Sequence, residues 1–307
     1  MLWKLCRKVT LLFLIIAMVA CEKEPSEQEK YEVEVLTNIS YGNHARQKMD
    51  LYLPKGRSSV NTNVIVVIHG GGFVAGDKSY FSEVSTKLAE KGFAVVNMNY
   101  RFVDITGLLD NPPKHQPSAI TIHHQLEDVH EAIQVGLARS EELAISNSKW
   151  YIAGHSAGAT LAMLYAYGKN NEDGLVKAVA NWAGVTTFAF NDESEVDQLD
   201  PRFRELFFRL IGAEATNENK LAYMAASPYW VAHNNGGIPT INIKPNDNTI
   251  GDLPDVSEIQ YKELTDLLDA RGIASQYVLV SGASHGFSEP GKWDEVLVNT
   301  LTFFNER

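Results

Sequence analysis

The chain has 307 residues, of which 45% are apolar and 21% charged, and a formal net charge of -11. That balance is ordinary for a globular protein with a real core, arranged as one large α/β domain or two small ones. An acidic chain without a basic patch to offset it points away from nucleic acid as a partner, and it disfavours strongly anionic substrates.

The chain opens with a basic cluster, Lys4, Arg7 and Lys8, followed by the apolar stretch Val9–Ala20, which is too short to span a bilayer comfortably. This stretch ends Met18-Val19-Ala20-Cys21, which resembles the lipobox of bacterial lipoproteins. The resemblance implies that residues 1–20 are a signal peptide and that Cys21 carries a lipid. Residues 21–30, charged and containing Pro25, would form a flexible tether. Cys6 would leave with the signal, so Cys21 would have no disulfide partner, which suits an acylated cysteine. An uncleaved anchor helix is the alternative. Either way the domain is expected outside the cytoplasm, in the cell envelope, held to a membrane and facing the periplasm or the cell surface.

From residue 31 onward a single domain is expected, running to residue 307. Partial alternation over Tyr31–Ile39 and Gln47–Leu53 predicts two antiparallel strands. Asn63–Ile68 and Phe93–Asn99 are runs of the kind found in strands buried on both faces, with a helix over Tyr80–Lys91 between them. Ala119–Ala138 has helical periodicity, placing Leu126, Val129, Ile133 and Leu137 on one face. Strands are expected at Trp150–Ala153, Ala178–Trp182, Ile238–Lys244 and Gln276–Val280, and helices near Ala157–Tyr167, Val256–Arg271 and Trp293–Phe304. This alternation predicts an α/β fold with a mostly parallel, doubly wound sheet. Residues 185–226 break the rhythm with Phe188, Phe190, Phe203, Phe207 and Phe208. A cap or lid insertion is expected there, with an ordinary helix and decorated loops as the alternative.

Within this frame Gly154-His155-Ser156-Ala157-Gly158 lies between a predicted strand and a predicted helix, as a nucleophile elbow does. His69-Gly70-Gly71-Gly72-Phe73 directly follows the Asn63–Ile68 strand, where backbone N–H groups can face a reacting carbonyl. Gly71, Gly72 and Ala157 are the expected oxyanion donors, and His69 is expected to be structural. His285, in Ser284-His285-Gly286-Phe287 after the last strand, is the expected general base. His155 is read as the variable residue of the elbow. The orienting acid should follow the strand Ile238–Lys244, where Asp247, Asp252 and Asp255 qualify by position. Asp247 is nearest the strand end and is favoured, with Asp252 next. His123, His124 and Glu127 lack the spacing of a zinc motif and read as a solvated helix face.

These residues resemble α/β-hydrolase esterases of the carboxylesterase and acetyl-esterase kind. The similarity runs through Tyr41-Gly42, Gln47–Pro54, the 69–73 and 76–78 segments, Asn99-Tyr100-Arg101, Gln125–Asp128, the elbow, Ala226-Ser227-Pro228 and the His285 loop. It implies a serine esterase for small or medium acyl groups, using a Ser-His-Asp triad and no metal or organic cofactor. Two departures stand out: Lys244-Pro245-Asn246 replaces the usual His-Gly ahead of the acid, and His155 replaces an aspartate common in one branch. The second leans toward arylformamidases and polysaccharide-side-chain esterases. Carboxylic ester hydrolysis, on glycans or dietary esters, is therefore the expected function. Amide cleavage by the same residues is the near alternative, and a non-catalytic surface binder on the same scaffold is the distant one.

Overall fold

The computed structural model describes residues 30–249 and 256–307. The expected signal segment, Cys21, nearly all of the tether, Asp252 and Asp255 lie outside the described residues.

The strands, in chain order, are β1 (Val33–Ser40), β2 (Lys48–Pro54), β3 (Val64–Ile68), β4 (Ala94–Met98), β5 (Trp150–His155), β6 (Val176–Trp182), β7 (Thr240–Pro245) and β8 (Ser275–Val280). They form one sheet in the order β1-β2-β4-β3-β5-β6-β7-β8. Pairing is antiparallel at β1–β2 and β2–β4 and parallel from β4 through β8. The helices are α1 (Ser82–Glu90), α2 (Ile122–Ala138), α3 (Ala157–Tyr167), α4 (Glu193–Asp197), α5 (Pro201–Ile211), α6 (Lys220–Ala225), α7 (Pro228–Asn235), α8 (Glu258–Asp269) and α9 (Lys292–Asn305).

β3 is apolar at every position and its parallel neighbours largely so, because both faces of the sheet are covered; Asn97, Asn181 and Asn242 are buried polar exceptions. Successive side chains point to opposite faces. Val64, Val66 and Ile68 of β3 therefore join the cluster containing residues of α2, α3 and α8. Ile65 and Val67 join the cluster containing residues of α1 and α9. The edge strand β1 is largely exposed, as its weaker alternation implied. Helix α2 starts later than its periodicity suggests because Thr121, in extended backbone, serves as its cap. The Thr121 N–H donates to His124 Nδ1 at 3.1 Å, so His124 closes the helix start.

The segment between β6 and β7 carries α4 to α7. Asp200 caps α5 by accepting from the Arg202 N–H at 2.8 Å, Pro201 fits the first helical position, and Gly212 ends the helix at a φ of 82°. Arg209 on α5 is fully buried. It donates from Nε to Glu205 Oε1 at 2.7 Å, and from its other nitrogens to the carbonyls of Asp104 (2.9 Å), Thr106 (3.0 Å) and Lys114. Glu205 also accepts from His115 Nδ1 at 2.9 Å and from the Gln116 N–H at 3.1 Å. One buried ion pair thus fastens α5 to the 104–116 loop. At the other end of the segment, Phe188 meets Phe73 edge-on with ring centroids 6.0 Å apart and Phe207 at 5.5 Å. The helical segment therefore packs over the glycine loop that follows β3.

Truncating Arg209 would leave a buried carboxylate and three carbonyls without their donor. Arg209→Ala is expected to cost about 3–5 kcal/mol of stability, the range for breaking a buried pair from one side. A denaturant titration checks it, and a loss below about 1 kcal/mol would mean that the ion pair does not hold this segment.

Candidate active site

Ser156 sits in the turn from β5 to α3 with φ 54° and ψ -122°, a left-handed backbone that a serine adopts only under constraint. The constraint comes from how closely α3 approaches the sheet. A Cβ on Gly158 would stand 2.3 Å from the Ile68 carbonyl oxygen, and one on Gly154 would stand 2.2 Å from the Gly158 carbonyl oxygen. Glycine at both places permits that contact. The Ser156 N–H donates to the Trp182 carbonyl at 2.8 Å, tying the turn to β6. Behind it, Asn181 Oδ1 accepts from the Gly184 N–H at 2.8 Å, and Asn181 Nδ2 donates to Asn242 Oδ1 at 2.9 Å.

The glycine loop lies against the serine. A Cβ on Gly70 would fall 3.0 Å from Ser156 Cβ. Gly71 and Gly72 are exposed at φ 124° and 59°. Among the described residues, neither of their N–H groups has a hydrogen-bond acceptor. Ala157 is the first residue of α3, where an N–H has no partner within the helix.

His69 supports this loop from below, as expected. It is fully buried, stacked on Tyr100 with ring centroids 4.4 Å apart, and its Nδ1 donates to the Gly70 carbonyl at 2.6 Å. Arg46 lies 3.6 Å above the Phe102 ring and donates to the carbonyls of Tyr100 (2.8 Å) and Gly76 (3.1 Å). Its Nη2 also reaches His69 Nε2 at 3.2 Å. Arginine can only donate, so His69 accepts there and is held neutral. Burial lowers its pKa to about 4.

The His285 loop comes to the elbow through His155. The His155 Nε2–H donates to the His285 carbonyl at 2.7 Å, and the two rings lie 4.9 Å apart. His155 therefore braces the His285 loop against the Ser156 turn, a task its place inside a five-residue motif did not reveal. Burial, and then the neighbouring His155, lower the His285 pKa to about 3. The ordinary imidazole value near 6.5 does not apply in this setting.

The loop after β7 departs from expectation. Asp247 is exposed, and its Oδ1 accepts from the Thr249 hydroxyl (2.6 Å) and N–H (3.0 Å), which hold its carboxyl below the ordinary range. Its own N–H donates to the Ala283 carbonyl at 3.0 Å. The side chain against His285 is that of the next residue: Asn248 Oδ1 lies 2.5 Å from His285 Nδ1, and Asn248 is 1% exposed. An orienting group in this place is expected to be a carboxylate, so an amide carries no signal in the sequence. The departure at Lys244-Pro245-Asn246 was the one signal that this loop differed.

A cavity of about 330 Å³ lies between α5 and the 112–115 loop, lined by His115, Glu205, Phe208 and Glu214 among others. No residue of the elbow or of the His285 loop lines it.

Both pKa values predict proton uptake on unfolding. A histidine whose folded pKa is lowered is neutral when folded and protonates when unfolded, so stability falls as pH drops below about 6.5. Ring-carbon NMR titration of the folded protein should place His69 near 4 and His285 near 3. A midpoint near 6.5 for either would refute that burial.

Comparison with known proteins is consistent with this geometry. Residues 49–248, more than half of the chain, match the model of the BD-FAE family. An isoprenylcysteine alpha-carbonyl methylesterase of Arabidopsis thaliana is 24% identical over 264 residues, covering 83% of this chain but 57% of its own length. The kynurenine formamidase of Danio rerio is 26% identical over 153 residues, 49% of this chain and 45% of its own. Among solved structures, a truncated carbohydrate esterase from gut microbiota superposes with a TM-score of 0.66 at 20% identity, covering 91% of this chain and 97% of that one. A bacterial heroin esterase gives 0.65 at 18%, covering 91% and 84%. These superpositions show that the fold is that of an α/β-hydrolase.

Proposed function

The chain belongs to the BD-FAE family of α/β-hydrolases, and from that premise we propose that it is a serine carboxylic-ester hydrolase acting through Ser156 and His285. The observation that carries the reading is the strained Ser156 turn held between the glycine loop and the His285 loop. His285 Nε2 takes the Ser156 hydroxyl proton as the serine oxygen bonds to the acyl carbon. The carbonyl oxygen becomes an oxyanion, met by the N–H groups of Gly71, Gly72 and Ala157. His285 then returns the proton to the leaving alcohol, and a water deprotonated by the same nitrogen releases the acid from the acyl-enzyme. These steps use no metal or organic cofactor.

Phe73, Phe188 and Phe207 give the site an apolar wall, which suits a small or medium acyl group. The methylesterases among the relatives favour an ester as the scissile group. The formamidase relatives support amide cleavage as the second reading, since the same proton transfers serve an amine leaving group. The lipobox resemblance of Met18–Cys21 supports an address in the cell envelope, with a lipid on Cys21 and the domain facing the periplasm or the outside. Glycan-linked or dietary esters would be the substrates met there.

Full-length protein in detergent should hydrolyse p-nitrophenyl acetate and butyrate, with octanoate slower. Ser156→Ala should lower kcat at least about a thousandfold. Equal turnover by wild type and variant would reject the serine mechanism. A faster reaction on a formanilide than on any ester would favour the amide reading.

The anchor has its own test. Cys21→Ser should move the protein from the membrane fraction to the soluble fraction, and unchanged fractionation would remove the lipid from the account.

A further inference from the structure

The loop after β7 offers His285 an amide. Asn248 Oδ1 lies 2.5 Å from His285 Nδ1, and Asn248 Nδ2 lies 3.2 Å from the hydroxyl of Tyr261, a fully buried residue of α8. We propose that Asn248, with Tyr261 behind it, is the positioning residue of the catalytic histidine, so that the site works as a Ser-His-Asn triad. The inference rests on the serine-hydrolase reading above and concerns which group orients its base.

The chemistry follows from which way the amide faces. A carbonyl oxygen can only accept, so Asn248 Oδ1 requires a proton on His285 Nδ1. That leaves the lone pair on Nε2, the nitrogen that must take the serine proton. Turned over, the amide would present an NH2 group to Nδ1 and demand the opposite tautomer, in which Nε2 already carries a proton and cannot act as base. Tyr261 anchors the far end of the amide: in the first orientation its hydroxyl oxygen accepts from Nδ2, and since a hydroxyl can also donate, the contact holds the side chain in place rather than choosing its face. At 1% exposure Asn248 has little water to compete for either atom.

An asparagine can fix the tautomer but brings no negative charge to stabilise the imidazolium that forms during the reaction. Among the described residues, charged groups on the flanking elements do not supply the missing charge. His155, on the elbow, is the neighbour acting on the ring, and it opposes protonation. Asp247, in the β7 loop, turns its carboxylate to Thr249. Glu289, on the loop of His285 itself, accepts from the Ser284 N–H at 3.0 Å. Lys244 at the end of β7 is a cation, and Tyr261 of α8 stands behind Asn248. With an amide rather than a carboxylate against its ring, the base should stay neutral to lower pH than a carboxylate-assisted imidazole would, and activity should persist correspondingly further into the acid range.

The test pairs ester kinetics with nitrogen NMR on the full-length protein. Asn248→Ala should lower kcat at least about tenfold with KM little changed. Asn248→Asp should raise the acid limb of the kcat profile by about one to three pH units, the effect of an anion placed against the ring. Loss of packing alone would not move that limb. The tautomer readout needs no substrate: wild-type His285 should carry its proton on Nδ1. Turnover by wild type that does not depend on Ser156 would sink the hydrolase reading. By contrast, Ser156-dependent turnover that survives Asn248→Ala but is lost in Asp252→Asn or Asp247→Asn would overturn this inference alone. So would an Nε2–H tautomer in the wild type, or an unmoved acid limb in Asn248→Asp.

Discussion

Helix α3 enters the sheet closer than a side chain at Gly154 or Gly158 would permit, and the geometry of the site hangs on that contact. With a Cβ on Gly158 only 2.3 Å from the Ile68 carbonyl, any larger residue would lift the helix away from β3. The turn that joins strand to helix is forced through a left-handed serine, and the serine is thereby raised out of the sheet. Backbone strain of this sort persists only where surrounding structure over-determines it. Here the hydrogen bond from the Ser156 N–H to β6 and the buried Asn181–Asn242 pair behind it hold the turn.

Around that turn the protein uses neutral histidines as braces. His69 carries the Gly70 carbonyl and is held from the other side by Arg46. His155 carries the His285 carbonyl. Each imidazole offers one donor and one acceptor in a rigid plane, and burial keeps it uncharged. Two loops remote in sequence, one bearing the proposed oxyanion donors and one bearing the base, are thus registered on the nucleophile by polar contacts that solvent does not reach. Lower local dielectric makes each such bond stronger and each missing partner costlier.

An amide in the position of the orienting group changes the balance between geometry and charge. A carboxylate would fix the tautomer and also stabilise the imidazolium, whereas Asn248 performs the first task alone. The amide is held in turn by a second side chain, Tyr261, whose hydroxyl meets its far end. In the proposed mechanism the electrostatic demand would fall more heavily on the backbone donors at Gly71, Gly72 and Ala157.

Local pattern was enough to reveal the eight strands, the five helices outside the segment between β6 and β7, the α/β class and the elements beside which Ser156 and His285 lie. The reason is physical: buried strands need continuous apolar runs, elbows need glycine on both sides, and each signal spans only a few adjacent residues. The bracing role of His155 was not legible, because its partner lies 130 positions away in the chain. Nor was the Arg209 clasp, whose acceptors besides Glu205 are carbonyls that carry no side-chain signature. The orienting residue shows the boundary most clearly. The sequence by itself determined that some group after β7 must face His285, and it offered several aspartates for the part. Tertiary structure alone decided that Asp247 turns outward to Thr249 while Asn248 turns inward, because neighbouring residues in a loop point different ways and only the packed positions of His285 and Tyr261 select which one is used.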